Sequence, residues 1–247
     1  MTERKEYNRW GEELEKLLLL RTSPLAVKML EKEEDIPEGA YRPKRDDGVH
    51  LAQCQAFTLS RRKRKTVAML KEDNWCWAPL VGWGLVEPPD PELIFGATFP
   101  CFEQGKYIGI VTAPLKTASF EPDVVLIYAN AAQVRHMLGA VQTKEKPVLT
   151  SDFYPIDSCI YSIVPVMRNG ECRITLPDPG EYERAMTTED EIVFSVPAGK
   201  IEDMVSRLKQ SDEQKRGYAY SSMDMEPDFP RPPFYEKLFK MWGLDTK

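Results

Sequence analysis

Apolar residues fall into two rhythms along this chain. Between residues 3 and 20, Trp10, Leu14, Leu17 and Leu18 share one helical face while acidic residues cluster elsewhere, which predicts an opening amphipathic helix. Arg21-Thr22-Ser23-Pro24 breaks it, and Leu25 to Leu30 reads as a strand. Val124 to Tyr128 is a continuous apolar run, rich in β-branched residues and too short for a typical helix. It predicts a strand buried on both faces. Asn130 follows as an N-cap, because its short side chain can accept from an amide of the first turn. Ala131, Ala132, Val134, Met137, Leu138 and Val141 then recur at helical spacing. This strand–cap–helix unit is the core candidate, and it holds no glycine-rich loop to cradle a phosphate.

The same reading places further elements on either side. His50 to Leu59 reads as a helix carrying Cys54, and it runs into the basic Arg61-Arg62-Lys63-Arg64-Lys65. That run reads first as a solvated turn before a strand at Thr66 to Leu70, and otherwise as a seat for an anionic ligand or acidic partner. Tyr107 to Thr112 is a strand. Asn169-Gly170 signals a hairpin between Val164-Pro165-Val166 and Cys172 to Leu176, and Pro177-Asp178-Pro179-Gly180 a tight turn. Ile192 to Val196 is another strand, followed by a helix over 198–209 with Ile201, Met204, Val205 and Leu208 along one side. The expectation is a single α/β or α+β domain over residues 1–217, with a mixed sheet flanked by helices. A proline-rich C-terminal arm over 218–247 ends in a short amphipathic helix, where Phe234, Leu238, Phe239 and Trp242 need a docking surface. We expect a homo-oligomer, most simply a dimer, since closed two-fold symmetry is the commonest case.

Composition narrows the function. A chain of 247 residues with 42% hydrophobic residues and five tryptophans is a folded, globular protein. Its formal net charge of −6 disfavours nonspecific nucleic-acid binding, which rests on phosphate neutralisation. No apolar run approaches the roughly 20 residues that span a bilayer. MTERKEYNRW lacks a signal-peptide core, so a cytoplasmic location is expected, with no membrane and no nucleic-acid partner. In that compartment five cysteines read as reduced thiols or metal ligands rather than disulfides.

Several segments in order carry a resemblance. Pro24-Leu25-Ala26-Val27-Lys28 follows the first helix; Cys54-Gln55 stands at the head of a helix; Asn74-Trp75-Cys76 precedes Gly82 to Leu85. Gly105-Lys106-Tyr107, Ala113-Pro114-Leu115, Pro122 to Val125 with Gln133, Ser158-Cys159 and Glu191 to Pro197 complete the series. From about residue 10 to about residue 210 the chain resembles the uncharacterised family called domain of unknown function 169. Leu176 to Arg184 departs from the glycine–arginine turn expected there. The resemblance implies a shared fold and pocket, and no particular reaction.

Cys54, Cys76 and Cys159 occupy positions that match the family pattern. None of the five cysteines lies in a C-x-x-C pair, but ligands can converge from separate elements. Three thiolates with a fourth ligand could hold an iron–sulfur cluster. Cys101 is the natural fourth candidate. His50 is another, since it lies four residues before Cys54 and would share its helical face. The competing readings are buried cysteines acting as small hydrophobes, and a reactive thiol. A hydrolase has less support: there are two histidines, His50 and His136, and no G-x-S-x-G elbow. Asp178 and Glu181 could bind a cation, although acids in a turn are usually caps or solvated groups. Trp75, Trp77, Trp83, Phe95, Phe99 and Phe102 are dense over one stretch. They are either core or the walls of a small-molecule pocket, with the three tryptophans as contacts. Two functional classes follow: a cysteine-ligated metal or iron–sulfur redox protein, or a ligand-binding protein without catalytic activity.

Overall fold

The computed structural model describes residues 2–88, 99–220 and 233–244. Six strands form one sheet: β1 (Leu25–Leu30), β2 (Val67–Leu70), β3 (Gly109–Pro114), β4 (Val124–Ala129), β5 (Arg173–Thr175) and β6 (Ile192–Pro197), in the order β2-β3-β1-β4-β6-β5. Of the two arrangements left open by the sequence, the α+β one is adopted. Every pairing of these strands is antiparallel, so the sheet is not mixed.

β4 lies inside the sheet, between β1 and β6, and all its residues are buried. Its side chains alternate between two cores, as strand geometry requires. Val125, Ile127 and Ala129 face the first core; Val124, Leu126 and Tyr128 face the second. That is why the strand reads as a solid apolar run and not as an alternation: helices cover both faces.

The first face carries α1 (Thr2–Leu18), α5 (Ala131–Val141) and α9 (Ile201–Glu213), through Trp10, Leu14, Leu18, Val134, Met137, Ile201, Met204, Val205 and Leu208. Asn130 caps α5 by accepting from Gln133 N at 2.9 Å. Gln133 Nε2 in turn donates to Leu18 O at 2.8 Å, which ties α5 to the end of α1. Gly11 lets α1 pack closely on the turn after β3, because a Cβ there would sit 2.6 Å from Lys116 N.

The second face carries α3 (Gln53–Lys63), α4 (Trp77–Gly82), α6 (Ser158–Tyr161) and α7 (Val164–Asn169). Short helices α2 (Pro43–Asp47) and α8 (Pro179–Arg184) lie in the connections, and α10 (Pro233–Met241) ends the described chain.

Three local expectations are corrected. The hairpin at Asn169-Gly170 is instead the end of α7: Val164 and Val166 are buried in the second core, and Gly170 terminates the helix at φ +63°. A left-handed glycine serves a helix C-terminus as readily as a hairpin turn. Pro177 to Gly180 is not a free tight turn, because Asp178 caps α8 with Pro179 at its first position. Third, α3 starts at Gln53, so His50 precedes the helix and does not share a face with Cys54. The tryptophan-rich stretch lies partly outside the described residues, which do not include Phe95, and so does most of the arm from 221 to 232.

Candidate functional site

Beyond the second core, three separate segments bring three cysteines to one cavity. Cys54 sits in the first turn of α3. Gln55 closes that turn by accepting from Ala52 N at 2.9 Å. The residues before α3 run beside those before α4: Leu51 N donates to Asp73 O at 2.9 Å, and Trp75 N to Leu51 O at 3.3 Å. That pairing sets Cys76, the N-cap of α4, next to the start of α3. Cys54 and Cys76 pack into one small apolar cluster with Ala52 and Ala185.

Cys159 arrives on α6. Gly82 admits that helix, since a Cβ at residue 82 would meet Ile160 Cδ1 at 2.6 Å. Helix α8 closes the far side. Asp178 Oδ2 accepts from Ser158 N and lies 3.2 Å from Ser158 Oγ, fastening α8 to α6. Thr58 Oγ1 donates to Ala185 O, fastening α8 to α3. The cavity between them is open on one side and about 480 Å³, within the usual range for small-molecule sites, and its lining includes Cys54, Cys76 and Cys159. Trp75 and Trp77 stand at the cavity with 49% and 40% exposure. Arg184 reaches over the Trp75 ring at 5.1 Å.

The thiols are held neutral. Burial, then the charges of Glu181 and Asp178, push Cys54 up to about 12. Burial likewise raises Cys76, and Cys159 well above its ordinary value. Arg184 opposes the rise at Cys54 and Cys76. The neighbouring acids are also displaced. Asp157, in left-handed backbone at φ +61°, is pushed up to about 6 by burial and then by Asp178. Glu181 rises to about 7, through burial first and Asp178 second.

Behind the cavity lies a buried polar network. Glu181 Oε1 is 2.8 Å from Ser158 Oγ and accepts from Tyr128 Oη at 3.1 Å. Arg61 is buried on α3, donates to both Glu191 oxygens at 2.7 and 3.2 Å, and lies 3.9 Å over the Tyr128 ring. Thr187 joins the two halves, accepting from Arg61 at 2.9 Å and lying 3.4 Å from Glu181. The basic run therefore opens with a buried, paired arginine and not a solvated one. Glu181 likewise is neither solvated nor a cap.

The other predicted site residues lie elsewhere. Cys101 is half-buried, points its thiol at Phe99 O at 3.4 Å, and is not among the cavity's lining residues. His50 is exposed, also off the cavity. Trp83 is fully buried in the second core. Sequence reasoning missed Gln53, Asp157, Arg61 and Arg184. The residues next to each cysteine were the available signal, but burial of Arg61 needs Glu191, which is 130 positions away. Among the described residues, no three histidine, cysteine or acidic side chains are gathered tightly enough to hold a metal ion as they stand. Among the same residues, no helix is long and apolar enough to cross a membrane.

The family model for domain of unknown function 169, described as an uncharacterised ArCR, matches residues 13–97 and 93–207. An uncharacterised protein of Methanocaldococcus jannaschii is 22% identical over 219 residues, covering 81% of this chain and 92% of its own. No solved structure matches the chain significantly. The segments read from the sequence, from Pro24-Leu25 to Glu191–Pro197, fall inside the matched regions, and the chain belongs to the domain of unknown function 169 family.

Proposed function

We propose that the cavity is a thiolate cofactor site in which Cys54, Cys76 and Cys159 hold an iron–sulfur cluster. The observation that carries this reading is convergence: three cysteines far apart in sequence line one cavity, on elements fastened together by hydrogen bonds. Thiolates are the usual ligands of such clusters. A cluster interposes its own iron and sulfide between its cysteines, so it tolerates a looser gathering of thiols than a single ion does. Loading requires each thiol to lose its proton, and Arg184 supports that charge at Cys54 and Cys76. The cavity side would offer a fourth iron position to Cys101 or His50 only after movement, and otherwise to a small ligand. Such a group would supply electron transfer or Lewis-acid binding.

The test is purification without air, because thiolate ligands are oxidisable. The expected protein is brown, with iron and acid-labile sulfide, and the Cys76→Ser variant loses both. Colourless, iron-free protein after anaerobic reconstitution contradicts the reading.

The exposure of Trp75 and Trp77 beside a cavity of about 480 Å³ favours a second reading, small-molecule binding at the same place without a cluster. A cytoplasmic setting, with no nucleic-acid partner, suits both.

We also infer a homodimer joined through the C-terminal helix. On α10 and at the residue just after it, Phe234, Tyr235, Met241 and Trp242 are 65%, 47%, 72% and 62% exposed. Contiguous apolar surface of this kind marks an interaction site. Light scattering should give a dimer for the full chain and a monomer for one ending at Tyr220. Monomers in both samples would refute the assignment.

A further inference from the structure

Asp157 lines the cavity and is 9% exposed, yet its carboxylate is unmet. Its Oδ2 is buried without a hydrogen-bond partner, and among the described residues no hydrogen bond or ion pair reaches the other oxygen. Burying a charge is costly unless it is paired, so folded proteins seldom leave a carboxylate in this state. Asp178, the other acid in the lining, is well met: it accepts from Ser158 N at 3.2 Å and from Glu181 N at 3.0 Å. The charge that acts on Asp157 is the like charge of Asp178. Arg184 is the one basic side chain in the lining, and it is engaged with the Trp75 ring at 5.1 Å and with Glu183 at 3.3 Å. The cavity therefore carries negative charge that the fold does not offset.

Two observations narrow the cation that would offset it. Among the described residues, no three side chains are gathered to hold a bare metal ion. The walls beside the two acids are largely apolar, through Trp75, Trp77, Ile156 and Pro179. A ligand that meets both has a cationic head on an apolar body. An ammonium brings three N–H donors to one point and makes strong, charge-assisted bonds to a carboxylate. Indole is also the aromatic ring best suited to lie beside a cation.

We propose that this cavity binds a primary amine through its ammonium head, with Asp157 as the accepting carboxylate, Asp178 as the second negative charge and Trp75 and Trp77 against its apolar body. The inference rests on the cavity being the functional site, but not on the cluster, and it is tested on metal-free protein as well as on reconstituted protein.

The experiment is isothermal titration at neutral pH with phenethylamine, its neutral isostere phenylethanol and the anion phenylpropanoate. The amine is expected to bind saturably, with the alcohol about tenfold weaker or more, a loss of one charged hydrogen bond, and the anion weaker still. Asp157→Asn is the informative variant, because asparagine also tolerates the left-handed backbone at φ +61°. It is expected to weaken the amine by about tenfold or more and to leave the alcohol unchanged. Its melting temperature should stay level or rise, because an unpaired buried charge is removed. A purely structural Asp157 would instead melt lower and keep the preference for amine over alcohol. No saturable amine binding in either form overturns the proposal, as does equal binding of amine and alcohol, or amine binding that Asp157→Asn leaves untouched. Amine binding by protein that takes up no iron would sink the cluster alone, and iron-loaded protein that binds no amine would sink this proposal alone.

Discussion

Arg61→Met is expected to destabilise the protein by about 3–5 kcal/mol, the usual cost of removing one member of a buried ion pair. Arg61 and Glu191 have side chains 0% and 2% exposed. The guanidinium also donates to Thr187 at 2.9 Å and packs on the Tyr128 ring. Burial alone would push the Glu191 carboxyl up, but hydrogen bonding and charge from Arg61 outweigh it and hold it below its ordinary value. Methionine keeps the aliphatic bulk and strands that carboxylate. The double variant Arg61→Met with Glu191→Leu is expected to recover most of the loss, because an apolar pair leaves no buried charge. Urea denaturation at neutral pH measures both. A single variant within about 1 kcal/mol of wild type would mean that the pair is open to water.

Glu181→Gln is expected to change how stability depends on pH. Burial, then the negative charge of Asp178, lifts this carboxyl from 4.5 to about 7. Between those values the folded protein keeps a proton that the unfolded chain has released. Stability therefore falls as pH rises through that window, by at most about 1.4 kcal/mol per pH unit and by roughly 3 kcal/mol in all. The glutamine variant does not titrate, and its amide can still meet Ser158, Tyr128 and Thr187. Its stability should decline more shallowly between pH 5 and pH 7, chosen as roughly bracketing the window. Some slope remains, because Asp157 is also raised, to about 6. Denaturant midpoints across that range decide it. Parallel slopes for the two proteins would place the titrating group elsewhere.

Much of the sheet was legible because its signals are local. The run Val124 to Tyr128, the cap at Asn130 and the face of Ile201, Met204, Val205 and Leu208 each specify an element without outside help. Errors arose where one motif serves two structures. Asn169-Gly170 ends a helix here, and Asp178-Pro179-Gly180 begins one. In both places buried partners decide: Val164 and Val166 in the second core, and Glu181 against Tyr128. Of the site, the shared placement of Cys54, Cys76 and Cys159 was legible through the family pattern. The helical register of His50 was not, because α3 starts only at Gln53. The roles of Arg61, Glu181 and Asp157 were hidden for a common reason. Whether a polar side chain is met or orphaned depends on groups supplied from far along the chain.

Among the available measurements, iron and acid-labile sulfide per chain after anaerobic reconstitution, across five single cysteine-to-serine variants, bear most directly on the central claim. Cys54→Ser, Cys76→Ser and Cys159→Ser should each lose the iron and the visible absorbance. Cys101→Ser and Cys172→Ser should retain both, since neither cysteine lines the cavity. Equal iron in all five variants, or loss confined to Cys101→Ser or Cys172→Ser, would contradict the assignment of the three-cysteine cavity as the cofactor site.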